Sequence, residues 1–362
     1  MKTHHYLLSF VMAFFFMHHT FAKVIRVDNN PGASADYKKL QEAINSAESG
    51  DTIYVVGSPN WYDTNSNGYA TDITINRTLT LIGPGYFLGD NSSTQASKHT
   101  AKIYRLTIGE GADNCTIQGF DLNANNNAIL YINKKDVNGK EGSIVPKNVT
   151  IKRNLINRLE IRYANNTLIS QNYFSINTYP IYVYQGAANT IIRNNIISSG
   201  NRYASIYGDN SELINLTIEN NTFTNGLYRI NNATIQNNIF ISGILNDCDN
   251  NTLNNNLFTS TEEAVSSENS TANTFNNNIF EAVQANIFVE PSPTLDDHFR
   301  LATDSPAIGM GVGGEDLGAY GGPTPYKLSG LPAIPAIYDL NTVGVGTQTE
   351  GMTVEIKAKS HN

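Results

Sequence analysis

The chain has 362 residues, a net charge of −8, a pI near 5.4 and only 15% charged residues. No basic face is available to displace counterions, which excludes nucleic acid as a partner. A chain this long would ordinarily divide into two or three domains, but the repeat described below grows by adding coils. One elongated domain is therefore expected over residues 23–323, with a linker and short β tail over 324–362.

Residues 1–22 read as a secretory signal peptide, with Lys2, an apolar stretch from Tyr6 to Met17, and Thr20-Phe21-Ala22 as a small-residue cleavage site. The stretch is too short to span a bilayer, so no transmembrane segment is expected after cleavage. From Ser34 to Ala47 the apolar period becomes helical. Leu40, Ala43, Ile44 and Ala47 share a face, Ser34 or Asp36 can serve as N-cap, and Gly50 ends the segment. A solenoid must cover its apolar end, and a short helix feeding a strand at residues 52–56 would do so. Further strands are expected at 73–75, 79–82 and 103–108, with Gly83-Pro84-Gly85 as a turn. Residues 114–122 form an early copy of the repeat, with Ile117 as its anchor.

Between residues 148 and 280 one phrase recurs seven times, first as Thr150-Ile151-Lys152-Arg153-Asn154-Leu155-Ile156. Its apolar anchors are Ile151, Ile169, Ile192, Ile218, Ile235, Leu253 and Phe275, separated by 18, 23, 26, 17, 18 and 22 residues. An Asn follows each anchor by three residues: Asn154, Asn172, Asn195, Asn221, Asn238, Asn256 and Asn278. Insertions fall between the phrases, as in a solenoid whose extra residues leave at corners. A coil of 17 or 18 residues holds three short strands, the cross-section of a parallel β-helix, with successive strands about 4.8 Å apart. Asn tolerates the left-handed turn between strands, and its amide can pair with identical amides one coil away. Cys115 and Cys248 would be at least six coils, or roughly 29 Å, apart and so unable to bridge; both read as small core residues. No Cys or His spacing of metal-site type occurs. After Pro323 come a Pro-punctuated linker and two expected strands, 337–343 and 352–358, read as a pair docked on the coil end; an engineered or sorting tail is the alternative.

Tyr37-Lys38-Lys39-Leu40-Gln41-Glu42-Ala43-Ile44 and then Gly50-Asp51-Thr52-Ile53-Tyr54-Val55 resemble the entry to the right-handed parallel β-helix of the pectin-lyase-like superfamily. Phe299-Arg300-Leu301, Asp304-Ser305-Pro306-Ala307-Ile308-Gly309 and Asp316-Leu317-Gly318-Ala319-Tyr320-Gly321-Gly322 resemble the closing segment of secreted bacterial β-helix proteins. With the Asn coils between, the resemblance covers roughly residues 25–323. It implies an all-β, right-handed solenoid with an N-terminal capping helix, exported to the periplasm or outer cell surface of a bacterium. It does not specify activity, because the fold carries lyases, hydrolases, adhesins and inert surface proteins.

A lyase resembling those of the superfamily would use Lys, Arg or His as base and a cation, often calcium, on the uronate carboxylate. Calcium enters under that reading alone; otherwise no cofactor or metal is expected. No Lys lies between Arg153 and Lys327, and no His between Thr100 and Asp297. Arginines remain at 153, 158, 162, 193, 202 and 229, but a guanidinium is a base only after a large pKa depression. A hydrolase needs two carboxylates about 6.5 to 9.5 Å apart for inversion. Asp209 and Asp247, two coils or about 10 Å apart if their columns match, barely reach that range. Arg229, Asp247 and Asp209 are the catalytic candidates, although Arg229 and Asp247 also fit a plain surface ion pair.

Counting back from the anchors sets Ile161, Leu227 and Leu245 in one inward column, and Ala164, Ile230 and Cys248 in another. Between them lie Arg162, Tyr228 and Asn246, then Tyr163, Arg229 and Asp247; Tyr182, Tyr184, Tyr203 and Tyr207 reach the same region. Sugar rings stack on aromatic faces while Arg, Asn and Asp bond their hydroxyls. Extracellular polysaccharide is therefore the expected partner, bound by Arg162, Tyr163, Tyr182, Tyr184, Tyr207, Tyr228 and Arg229. Tyrosine's strand propensity offers a plainer account of the same residues. Polysaccharide binding or scaffolding is the expected role; a lyase or glycoside hydrolase acting on an acidic glycan is the alternative.

Overall fold

The computed structural model describes residues 22–123, 128–134, 145–176, 179–200, 204–209, 214–266, 269–289, 295–342, 346, 349 and 351–360. All but the last residue of the expected signal peptide, together with Arg202 and Tyr203, lies outside the described residues. Within them the chain winds as a parallel β-helix, the coils from Thr116 to Asn246 each passing through three sheets in turn. The first sheet has eleven strands, from Val24–Val27 to Thr274–Asn276; the second has seven, from Asp121–Leu122 to Leu257–Phe258; the third has eight, from Asp72–Ile75 to Leu245–Asn246.

The anchors form one unbroken ladder, because each sits directly opposite the next: Ile25, Ile53, Leu81, Ile117, Ile151, Ile169, Ile192, Ile218, Ile235, Leu253 and Phe275. Ile53 through Leu253 are fully buried. In the second sheet the inward column stacks the rings of Phe223, Phe240, Phe258 and Phe280 at 4.7, 4.8 and 5.4 Å between centroids. Leu40, Ala43, Ile44 and Ala47 are buried at the N-terminal end as expected, but the helix is shorter, Leu40–Ser46. Its cap comes from elsewhere in the chain: the Asp63 carboxylate accepts the amides of Leu40 and Gln41 at 2.7 and 3.1 Å. Asp36 instead accepts the Arg26 amide. A second short helix, Glu262–Ser266, buries Val265 against the last strand of the third sheet.

The two properties assigned to the Asn column fall on adjacent residues. Asn154, Asn172, Asn195, Asn221, Asn238, Asn256 and Asn278 carry the amide ladder, each Nδ2 donating to the next Oδ1 at 2.9 to 3.1 Å. Each Oδ1 also accepts the preceding Asn's backbone N–H. The left-handed turn belongs to the residue just before: Arg153, Gln171, Asn194, Asn220, Asn237, Asn255 and Asn277, with φ between 51° and 57°. Cys115 and Cys248 are free and buried in different coils.

The C-terminal part departs from expectation. Residues 299–322 and their flanks form a strap that runs back along the outside of the second sheet. The reason lies in that sheet's outward column, Leu155, Tyr173, Ile196, Thr222, Ile239 and Leu257, which is mostly apolar and would otherwise face water. Phe288, Phe299, Ala307, Leu317, Ala319 and Tyr326 of the strap cover it as a second core. Gly318 permits the contact, since a Cβ there would lie 2.6 Å from Ile239 Cδ1. The left-handed residues hold the strap in antiparallel order. Asn255 donates to Met310 O, Asn237 accepts from Val312 N, and Asn220 donates to Asp316 O. Asn194 donates to Ala319 O and Gly321 O, Gln171 to Thr324 O and Pro325 O, and Arg153 to Leu331 O. The tail forms an antiparallel hairpin, Pro335–Thr342 with Val354–Ser360. Because the strap has travelled back, the hairpin meets the early coils, where Ala96 N donates to Ile337 O at 2.7 Å, and not the C-terminal coil end.

Candidate functional site: the outer strip of the third sheet

The third sheet keeps its outward face free of the strap. Its central outward column, by strand register, is Thr74, Thr107, Tyr131, Glu160, Tyr182, Tyr207, Tyr228 and Asn246. Alternation along each strand puts these side chains outside while Leu159, Ile181, Ile206, Leu227 and Leu245 are fully buried inside. One coil per residue spaces the column at about 4.8 Å, close enough for the rings to touch. Tyr182 and Tyr207 have centroids 5.0 Å apart, and Tyr207 and Tyr228 5.3 Å.

Flanking residues widen the column into a strip. Tyr184 stacks beside Tyr182 at 5.7 Å with planes 12° apart, and Tyr179 lies 5.1 Å from Tyr207 and 6.4 Å from Tyr228, nearly parallel to the latter. Guanidinium groups sit over the rings: Arg158 over Tyr182 at 4.9 Å, Arg162 over Tyr184 at 3.5 Å and Arg229 over Tyr228 at 4.8 Å. Glu160, 7% exposed, orients two of them, with Arg162 Nη2 3.0 Å from Oε2 and Arg158 Nη1 3.8 Å from Oε1. Burial raises the Tyr182 hydroxyl and, with the nearby Glu160 charge, pushes Tyr184 up to about 12. Both stay protonated donors at neutral pH.

Of the residues expected in the strip, Arg162, Tyr182, Tyr184, Tyr207, Tyr228 and Arg229 are brought together. Tyr163 takes the left-handed corner of its coil (φ 37°), as Arg229 and Asp247 do in theirs (55° and 50°), and its ring lies against Gly186 of the next coil, where a Cβ would come within 2.3 Å. Counting back from the anchors also set Ile161 and Arg162 level with Leu227 and Tyr228. Register instead pairs Leu159 and Glu160 with that column, a slip of two residues, because the strand Arg158–Ile161 runs two residues longer than Leu227–Tyr228 before its corner. A slip of two preserves the face, so Arg162 still points outward. Tyr179, Arg158 and Glu160 escaped the sequence reading. A Glu amid outward tyrosines was the available signal for Glu160; Tyr179 precedes its strand and carried none.

Among the catalytic candidates, Arg229 Nε lies 3.5 Å from Asp247 Oδ2, each side chain about one-third exposed, which is the surface ion pair of the plainer account. Arg229 Nη1 also donates to Tyr207 Oη at 3.4 Å. Asp209 accepts the Gln185 amide at 2.8 Å and so serves a different partner from Asp247. Among the described residues no group of three or more His, Cys, Asp or Glu is placed to hold a metal ion, and no helix is long and apolar enough to cross a membrane.

No family model and no curated protein matches this chain. Chemically, then, the strip stands on its own residues: a floor of tyrosine faces and hydroxyls, edged by guanidiniums.

Proposed function

We propose that this is an exported, pectin-lyase-like β-helix protein that binds an extracellular polysaccharide lengthwise along the third sheet. The observation that carries this reading is the run of tyrosine rings on consecutive coils, a repeated stacking floor parallel to the rod axis. Pyranose faces pack on such rings, and flanking Arg, Asn and Asp groups bond hydroxyls and carboxylates. Export is supported by the N-terminal apolar segment with its small-residue cleavage site.

Binding to a panel of neutral and acidic polysaccharides tests it. Tyr182→Ala and Tyr228→Ala should each weaken retention several-fold while lowering the unfolding midpoint only slightly, since both rings are half-exposed. Arg229→Ala should weaken uronate-containing chains most. If replacing the whole strip by Ser and Thr leaves retention unchanged, the reading fails. One feature favours a second reading, that of a lyase or hydrolase: Glu160, a nearly buried carboxylate between two guanidiniums. Reducing ends or unsaturated products that disappear in Glu160→Gln would establish it.

A further inference from the structure

The C-terminal hairpin sorts its side chains by face. Leu340 is opposite Ile356, Ile337 opposite Ala358 and Thr342 opposite Val354, while Asp339 is opposite Lys357, Asn341 opposite Glu355 and Ala336 opposite Lys359. Opposed residues share a face, so the apolar set lies on one side and the charges on the other. Lys359 and Ser360, one from each face, line a cleft with Asn91, Thr94 and Leu331, and the charged side is solvent-exposed beyond it, Lys357 by 45% and Glu355 by 62%. The apolar side is open, with Ile337, Leu340, Val354 and Ile356 exposed by 45%, 51%, 43% and 56%. The two edges differ as well. Pro335–Thr342 lies beside Ala96, whereas Val354–Ser360 is exposed at every residue and has no further strand beside it among the described residues. Two strands alone are marginal in water, and three or more with an apolar face are needed for stability.

Charge along the free edge identifies what pairs with it. Lysines on an edge ordinarily discourage pairing, but here Glu355 and Lys357 flank Ile356 symmetrically. Against a second copy running antiparallel with Ile356 opposite Ile356, Glu355 meets Lys357 twice and Val354 meets Ala358 twice. These five central pairs are opposite in charge or apolar on both sides, and favourable, while Lys359 and Ser360 fall opposite Thr353 and Met352. Moving the register by one residue sets apolar side chains against charges, and moving it by two, so that residue 357 is central, keeps two opposite-charge pairs, Glu355 with Lys359, but sets Lys357 against Lys357 on the dyad. We propose that two copies of this chain pair along Val354–Ser360 about Ile356, completing a four-stranded antiparallel sheet through a two-fold, isologous interface.

Sedimentation of the full chain across a concentration series, together with a cysteine placed on the dyad, tests this. Opposed Cα atoms in such a pair are about 4.5 to 5.5 Å apart, within disulfide range, and the native thiols of Cys115 and Cys248 are buried and do not compete. Expected results are a concentration-dependent dimer, a disulfide-linked dimer from Ile356→Cys on mild oxidation, and an association constant about ten-fold weaker in Glu355→Lys, where two attractive pairs become repulsive. A chain that remains monomeric, and whose Ile356→Cys form does not cross-link, overturns the proposal. So does a dimer indifferent to Glu355→Lys that cross-links through Leu340→Cys, which would mean stacked apolar faces.

Discussion

The second and third sheets are built by the same coils, yet their outward columns have opposite fates. Leu155, Tyr173, Ile196, Ile239 and Leu257 on the second sheet are at most 7% exposed because the strap covers them. Glu160 apart, the third sheet's column stays half-exposed at Tyr131, Tyr182, Tyr207 and Tyr228, with hydroxyls and guanidiniums facing water. Outward on a β-helix therefore does not mean exposed. A strand that alternates in polarity can leave its outer face open to water, and one that is apolar on both sides is finished by more protein.

The largest expected effect lies where the two faces share a core. Ile235→Asp puts a carboxylate into the dry anchor ladder and should cost on the order of 5 kcal/mol or more, unfolding neighbouring coils; a soluble Ile235→Asp protein with wild-type circular dichroism and melting would refute the register. Next comes the covered face. Ile196→Ala should cost about 2 to 5 kcal/mol in denaturant unfolding, as a core residue would, despite pointing outward. Tyr228→Ala on the open face should cost only about 1 to 2 kcal/mol. Equal costs would erase the distinction between the faces.

Smaller still is the contribution of one strap contact. Asn194→Gly keeps the left-handed turn but removes three bonds to the strap, and should cost about 1 to 3 kcal/mol and speed proteolysis within residues 299–331. Asn189→Gly, at an exposed left-handed corner whose amide bonds Asn165 and Asn215 of the adjoining coils and not the strap, is the control; it should cost less and leave proteolysis within residues 299–331 unchanged.

The smallest effect is a pH slope on the covered side. Asp296 is fully buried; its carboxylate accepts Asn91 Nδ2 at 2.8 Å and the Ser329 amide at 2.7 Å, and burial raises its pKa. The folded state then holds the proton more tightly than the unfolded chain. This contribution is complete below the ordinary carboxylate value and is lost as pH rises through the raised one. Strap stability should therefore decline with rising pH across that window, and the same slope in Asp296→Asn would assign it to other groups.

The anchors, the amide ladder and the parallel β-helix itself were legible because identical residues recur in phase, and stacking puts equals next to equals. The strap was legible only in retrospect: the residue after each ladder Asn, such as Leu155 or Ile239, is apolar or aromatic in every copy but that of Thr222, nearly as often as the one after that. Two adjacent apolar positions mark a strand buried on both faces. Within the strip, Tyr182, Tyr184, Tyr207 and Tyr228 were within reach of counting, whereas Arg162 was set two residues out of register because a corner's length is not written in the phrase.

What the sequence determined by itself was therefore periodic: which side chains point inward, which amides stack and where a coil repeats. Tertiary structure alone decided the aperiodic part. It decided that Asp63 caps the first helix, that the residues before the ladder asparagines hold a returning strap, and that the tail hairpin sits by the early coils. Each of these joins residues far apart in the chain or in coils of unequal length. Their partners follow from packing and corner geometry, which no local spacing encodes.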